Sequence, residues 1–176
     1  MSNVFFTSDQ HFGHKNIIEY CNRPFADVEE MNRTMISLWN GVVRPEDLVY
    51  HLGDFCLDRG NVNSLLNILN GTIFFLWGSH DKWMRHFAPD NNESRVIFLG
   101  SLDEIIIEKQ PIILCHYSMR SWPKSFHGSW HLFGHSHGRL EPYGKSFDVG
   151  VDYWNFTPVS WEQVKNKMNE LERNKD

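Results

Sequence analysis

The sequence predicts an α/β fold in which helices pack on a core made largely of strands. Two patterns carry this expectation. The first half alternates short apolar runs with a helical periodicity, while the second half is mostly strand-like. Polar residues of the metal-ligating types also gather just after the apolar runs, and in α/β sheets sites form at the carboxyl ends of strands.

The elements follow in order. Residues 4–8 (Val-Phe-Phe-Thr-Ser) read as a short buried strand. Residues 28–40 read as a helix, because Val28, Met31, Met35, Leu38 and Trp39 recur near the helical period and Asp27 with Glu30 forms a capping box. Residues 48–52 are a strand entering Gly53-Asp54. Residues 62–69 are a short amphipathic helix with Leu65, Leu66 and Leu69 on one face, and Gly71 follows as its terminator. Residues 73–77 form a strand ending at Gly78. Further strands are predicted over 95–99, 104–108, 111–115, 130–133 and 146–151. The last helix starts at Ser160, where Gln163 completes a capping box, and runs towards Arg173.

A chain of 176 residues fits one domain, 1–176, with a sizeable core. At 41% hydrophobic and 22% charged, the composition is that of a globular protein. The net charge of -5 gives no basic footprint, which argues against an extended nucleic-acid partner. A bound pair of divalent cations would add about four positive charges locally, so an acidic chain can still hold a phosphate. No apolar run approaches the ~20 residues of a membrane span. Residues 1–7 lack the basic region of a signal peptide. The cysteines Cys21, Cys56 and Cys115 are odd in number and widely spaced, so no disulfide framework is expected and a reducing cytoplasm is.

The chain has 10 histidines, and their placement decides the functional reading. Asp9 and His11 flank Gln10 after the first strand. Asp54 follows Gly53 at a strand end, and in a metal site its two oxygens can bridge two cations. His80 and Asp81 follow Gly78-Ser79, His116 closes the run Pro-Ile-Ile-Leu-Cys, and His135 and His137 flank Ser136 after Gly134. Taken singly, each is more often a capping Asp, a turn, a surface His or a satisfied core His. Neutral imidazole and carboxylate together suit Zn, Mn, Fe, Co or Ni. Five strand ends carrying such groups can converge on one spot.

The ordered set Asp9-X-His11, Gly53-Asp54, Gly78-Ser79-His80-Asp81, His116 and Gly134-His135-X-His137 resembles the calcineurin-like metallophosphoesterase superfamily, over residues 9 to 137. The resemblance implies a four-layer α/β/β/α sandwich with two central mixed sheets flanked by helices. It implies a first metal held by Asp9, His11, Asp54 and His137, and a second held by Asp54, His116 and His135. It implies phosphoester hydrolysis by a metal-activated hydroxide. His80 would contact the phosphate and protonate the leaving oxygen or stabilise the developing charge, with Asp81 or another nearby carboxylate to orient it. The family has Asn where this chain has Ser79. A hydroxyl is a shorter and weaker donor, so the second metal is expected to bind more loosely, or through water, with slower turnover.

Gly53-Asp54-Phe-Cys-Leu-Asp58-Arg59-Gly60 also looks like a protein Ser/Thr phosphatase segment with one residue added. The added residue leaves Asp58 and Arg59 without an assigned role, and a solvated helix start accounts for them. Arg120 is the leading candidate to grip the phosphate. His14, Lys15, Arg23, Trp122, His127 and His131 also lie near the motifs, although Trp122 and Trp130 read equally as core. Gly150 in Asp148-Val-Gly-Val-Asp152 allows close backbone approach to the site. The expected substrate is a nucleotide or other small phosphoester, with a diester favoured. The alternatives are a non-catalytic scaffold of the same fold and a nuclease acting on nucleic-acid ends. Retention of every Asp and His position favours the enzyme.

Overall fold

A computed structural model describes residues 2–58, 60–86 and 95–172 of the chain. The architecture is the expected sandwich of two mixed sheets with helices. The strands are β1 (Val4–Thr7), β2 (Leu48–His51), β3 (Thr72–Leu76), β4 (Val96–Gly100), β5 (Leu102–Ile107), β6 (Gln110–Cys115), β7 (Trp130–Phe133), β8 (Ser146–Asp148) and β9 (Val159–Ser160). The helices are α1 (Asn16–Tyr20), α2 (Val28–Val42), α3 (Val62–Ile68) and α4 (Trp161–Glu170). One sheet has the order β4-β3-β2-β1-β9, and the other β5-β6-β7-β8. β1 to β4 run parallel with β9 antiparallel at one edge, and β6 to β8 run parallel with β5 antiparallel.

Side-chain alternation along the strands divides the apolar residues between two cores. Phe5, Val49, Ile73 and Phe75 face Met31, Met35 and Trp39 of α2 and Leu65 and Leu66 of α3. Phe6, Leu52 and Leu76 meet Ile112, Leu114, Leu132 and Phe147 between the sheets. α4 closes that inter-sheet core with Trp161, Val164 and Met168. On the other side of the second sheet, buried Trp122 lies against His131, their ring centroids 5.4 Å apart.

Several local expectations need adjustment. Asp27 accepts the Glu30 amide at 2.7 Å, but the Glu30 carboxylate reaches the Ala26 amide rather than that of Asp27. The capping box at Ser160 and Gln163 is complete. α4 ends at Glu170, and Arg173 lies outside the described residues, as does Arg59. α3 ends at Ile68, because Leu69 is already extended. Gly71, with φ +95°, turns the chain into β3 instead of ending the helix. The β5–β6 turn uses Glu108 and Lys109, both at positive φ, as a two-residue hairpin requires. α1 has no counterpart among the predicted elements, since five residues are too few to show a helical period.

The parallel strands bring the carboxyl ends of β1, β2, β3, β6, β7 and β8 to one side of the molecule. A Ser8–Gly150 pairing joins the two sheets there, and Phe12 pairs with Cys56. Trp39 anchors the helical layer through its buried ring and an indole hydrogen bond to the Asn70 carbonyl at 3.0 Å. Trp39→Ala is expected to lower unfolding stability by about 3–5 kcal/mol, seen as a lower urea midpoint.

Candidate metal centre

Six of the singled-out side chains converge at these strand ends. Asp9, His11 and His137 offer ligand atoms within 4.8 Å of one another, and so do Asp54, His116 and His135. Asp54 lies between the two groups. Its Oδ2 is 3.7 Å from His11 Nε2 and 3.3 Å from His116 Nε2. A third combination, Cys21 with His137 and Asp152, also falls within reach. Its Asp152 carboxylate, however, is held by Arg23 and His137.

The backbone is bent to bring these groups inward. Asp9, His11, Asp54, His135 and His137 all have left-handed backbone, with φ between 50° and 65°. Such a conformation costs a non-glycine residue about 1 kcal/mol or more and persists where surrounding contacts enforce it. Here the loops hydrogen-bond to one another. The Asp9 and His11 amides donate to the Gly53 and Asp54 carbonyls, and the Gly134 amide to the His116 carbonyl. Asp81, buried, accepts the amides of Asp54, Phe55 and Gly78. Asp81 is therefore a clasp between two loops and does not orient His80 as expected. Asp148 does the same for the His-X-His loop, accepting Ser136 Oγ and the amides of Gly138 and Gly150.

Close approach excludes side chains at Gly53, Gly78, Gly134 and Gly150. A Cβ on Gly78 would lie 2.2 Å from Asp54 Oδ1, and one on Gly134 would lie 2.5 Å from Asp9 Oδ2. Gly150 also abuts Asp9 Oδ2, as the sequence suggested.

Secondary contacts set which ring nitrogen faces the centre. His116 Nδ1 donates to the Leu52 carbonyl at 2.8 Å, which turns Nε2 inward. His137 Nδ1 donates to Asp152 Oδ2 at 2.7 Å. Arg23 grips both oxygens of Asp152 at 2.8 Å and also donates to the Asp9 and Gln10 carbonyls. Arg23 is thus a buried strut under the first group of ligands and not a substrate contact.

The electrostatics fit cation binding. Burial pushes the Asp9 carboxyl up to about 7, against the pull of His116 and His137. Burial pushes His11 down to about 2, leaving a neutral imidazole. For Asp54, burial works upward, but His116 and the His80 amide outweigh it and hold the carboxyl well below its usual range. Asp9 Oδ1, both nitrogens of His11 and His116 Nε2 are buried without a hydrogen-bond partner in the protein. Leaving such atoms unpaired costs about 1–3 kcal/mol each, and a cation at this spot would satisfy them. The residues present therefore fit a metal ion.

The other singled-out residues divide. His80 is exposed over the centre, 5.4 Å from the His11 ring, and its amide donates to Asp54 Oδ1 at 2.8 Å. The Ser79 hydroxyl donates to Asp54 Oδ2 at 2.8 Å. A cavity of 240 Å³ above the centre is lined by His14, Tyr20, His80 and Arg139, among others. Arg120 is not among its lining residues. The chain carries it away after His116, and its guanidinium lies 5.9 Å from the Tyr143 ring centroid. Arg139, two residues beyond His137, takes the position expected of Arg120, and nothing in its local sequence signals this. Lys15 is exposed, and Asp58 bonds the Gly60 amide and Asn61 ahead of α3. His131 is buried between the Ile113 carbonyl and the Met119 amide. His127 lines a larger cavity of 590 Å³ at the opposite end of β6 and β7, which holds none of the ligands. His51, not singled out by sequence, is a buried support bonded to Gln10 and the Gly53 amide.

Asp152→Asn would set an amide against Arg23 and loosen His137. It is expected to weaken Mn²⁺ binding about 10–100-fold in a calorimetric titration. Unchanged affinity would remove Asp152 from the ligand-positioning network.

No family model matches the chain. An uncharacterized protein of Methanocaldococcus jannaschii is 38% identical over 174 residues, covering 93% of this chain and 90% of that one. The gene 66 protein of Mycobacterium phage L5 is 26% identical, covering 97% and 96%. Among solved structures, a protein of unknown function from Aquifex aeolicus superposes with a TM-score of 0.74 at 22% identity, covering 95% of this chain and 100% of that one, which supports the shared fold. With 38% identity over most of both sequences, the chain belongs to the family of the Methanocaldococcus jannaschii protein.

Proposed function

We propose that the protein hydrolyses small phosphoesters with the help of two divalent cations. The observation that carries this reading is the set of buried, unpartnered ligand atoms of Asp9, His11 and His116 gathered around Asp54 Oδ2. Asp9, His11, Asp54 and His137 would hold one cation, and Asp54, His116 and His135 the other. Carboxylate and imidazole donors suit Mn, Fe, Co, Ni or Zn. When bound, such a pair lowers the pKa of water and neutralises charge on a phosphate.

The protein's own groups do the rest. Asp54 presents one oxygen to both ligand groups while the His80 amide steadies the other. The Ser79 hydroxyl is committed to the shared oxygen and offers the second ligand group no direct donor, so the cation there would be held more loosely. His80 stands at the cavity mouth within reach of a leaving oxygen and gives it a proton. A nucleotide or comparable small ester is the expected substrate, with a diester favoured.

Hydrolysis of bis(p-nitrophenyl) phosphate should require added Mn²⁺ and stop with a chelator. Asp54→Asn, which removes a shared ligand, should lower kcat by more than the ~10–100-fold typical of outer contacts. Activity indifferent to both would sink the proposal. Mn²⁺ affinity should also fall with pH. Below about 7 the Asp9 carboxyl carries a proton that the cation must displace. His116 and His137, which Asp54 and Asp152 hold above the ordinary imidazole range against their burial, carry protons too, so the dissociation constant rises at least about tenfold per pH unit as pH falls. A flat affinity between pH 5.5 and 7 would contradict this linkage.

A further inference from the structure

Among the described residues, a cavity opens on each side of Ser79 beside the centre. The first, of 240 Å³, holds His80, Tyr20 and Arg139. The second, of 260 Å³, is lined by Trp77, Lys82, Ser101 and Tyr117. Among the described residues Ser79 alone lines both, and its hydroxyl sits on Asp54 Oδ2. A phosphorus atom placed over the centre beside Ser79 therefore has room on two sides.

The second cavity has built walls. Tyr117 is 47% exposed and stands edge-on to His116 and His135, with ring centroids 4.9 and 4.8 Å away. Trp77 is held by stacking on Phe98 at 4.8 Å. Lys82 is exposed and forms no ion pair among the described residues. Aromatic faces and an exposed ammonium suit a planar or sugar-like group that carries a further negative charge.

In-line displacement puts the entering water and the leaving oxygen at opposite apices, with three substituents between them. In a monoester all three are unesterified oxygens, and a lateral cavity with aromatic walls has no occupant. In a diester one of the three carries an arm. His80 lines the first cavity and not the second, so the proton donor lies on the Arg139 side.

We infer that the substrate is a two-armed phosphodiester, its leaving arm in the His80–Arg139 cavity and its retained arm in the Trp77–Lys82–Tyr117 cavity. This rests on the phosphoesterase reading and adds the substrate class and its orientation. Water forms the new bond to phosphorus and gives up one proton. The bond to the leaving oxygen breaks with its electron pair, and that oxygen takes one proton through His80. The products are an alcohol in the first cavity and a phosphomonoester whose remaining arm stays in the second.

Bis(p-nitrophenyl) phosphate and p-nitrophenyl phosphate release the same leaving group and differ in the retained arm and in one unit of charge. The change in their kcat/KM ratio with Mn²⁺ between the wild type and variants of the second cavity therefore reads that cavity. The wild-type protein should favour the diester at least tenfold. Tyr117→Ala, which removes a wall, and Ser101→Trp, which fills the space from an exposed position, should each reduce that preference at least tenfold. A wild-type preference for the monoester, or a preference unchanged in both variants, would overturn the inference while leaving the phosphoesterase reading intact. Hydrolysis of neither ester by the wild-type protein would overturn both.

Discussion

Asp54 ties the structure together at the point where its two sheets meet. Its carboxylate faces His11 from one sheet and His116 from the other. Its amide is held by Asp81, its carbonyl receives the His11 amide, and its Oδ1 receives the His80 amide. Four loops are thus referred to one residue. Moving Asp54 by a few tenths of an ångström would disturb all of them, because Gly78 already touches its carboxylate so closely that no Cβ fits. The carboxyl is buried, yet neighbouring donors keep it ionised.

Around that residue the protein holds an arrangement unfavourable in isolation. Five ligand-bearing residues have left-handed backbone, and several buried polar atoms lack partners. The helix-backed core of Met31, Met35, Trp39, Leu65 and Leu66, with the inter-sheet core on the opposite face, supplies the rigidity against which this strain is held. Between core and centre lies a layer of fully used polar groups. Arg23 and Asp152 fix His137, Asp148 fixes the loop that carries it, and Gln10 with His51 fills the space beneath Gly53. Precision at the centre comes from this layer, since each member has its hydrogen-bond directions fixed from more than one side.

Much of the fold was legible because its strands are short apolar runs punctuated by glycine and its long helix repeats Met31, Met35 and Trp39 on one face. The ligand positions were legible because each follows a strand directly in the chain. What escaped was either too short to have a period, as with α1, or defined by partners distant in sequence. Arg23 and Asp152 are 129 residues apart, and neither looks unusual in its own neighbourhood. Arg120 was the obvious cation beside a motif, yet the chain leads it to Tyr143, and Arg139 reaches the cavity through the carbonyl of Tyr20 on the unforeseen helix. Asp81 matched a motif, but its oxygens are consumed by backbone amides.

The sequence by itself determined the donor types, their order and their placement at strand ends, since covalent adjacency to an apolar run is a local property. Tertiary structure alone decided how those donors are used. It turned His116 Nε2 and His137 towards the centre through bonds to Leu52 and Asp152, and set the Ser79 hydroxyl on Asp54. It also opened a separate cavity on each side of Ser79. These are matters of side-chain direction, and direction is set by packing between loops that only the folded sheets bring together.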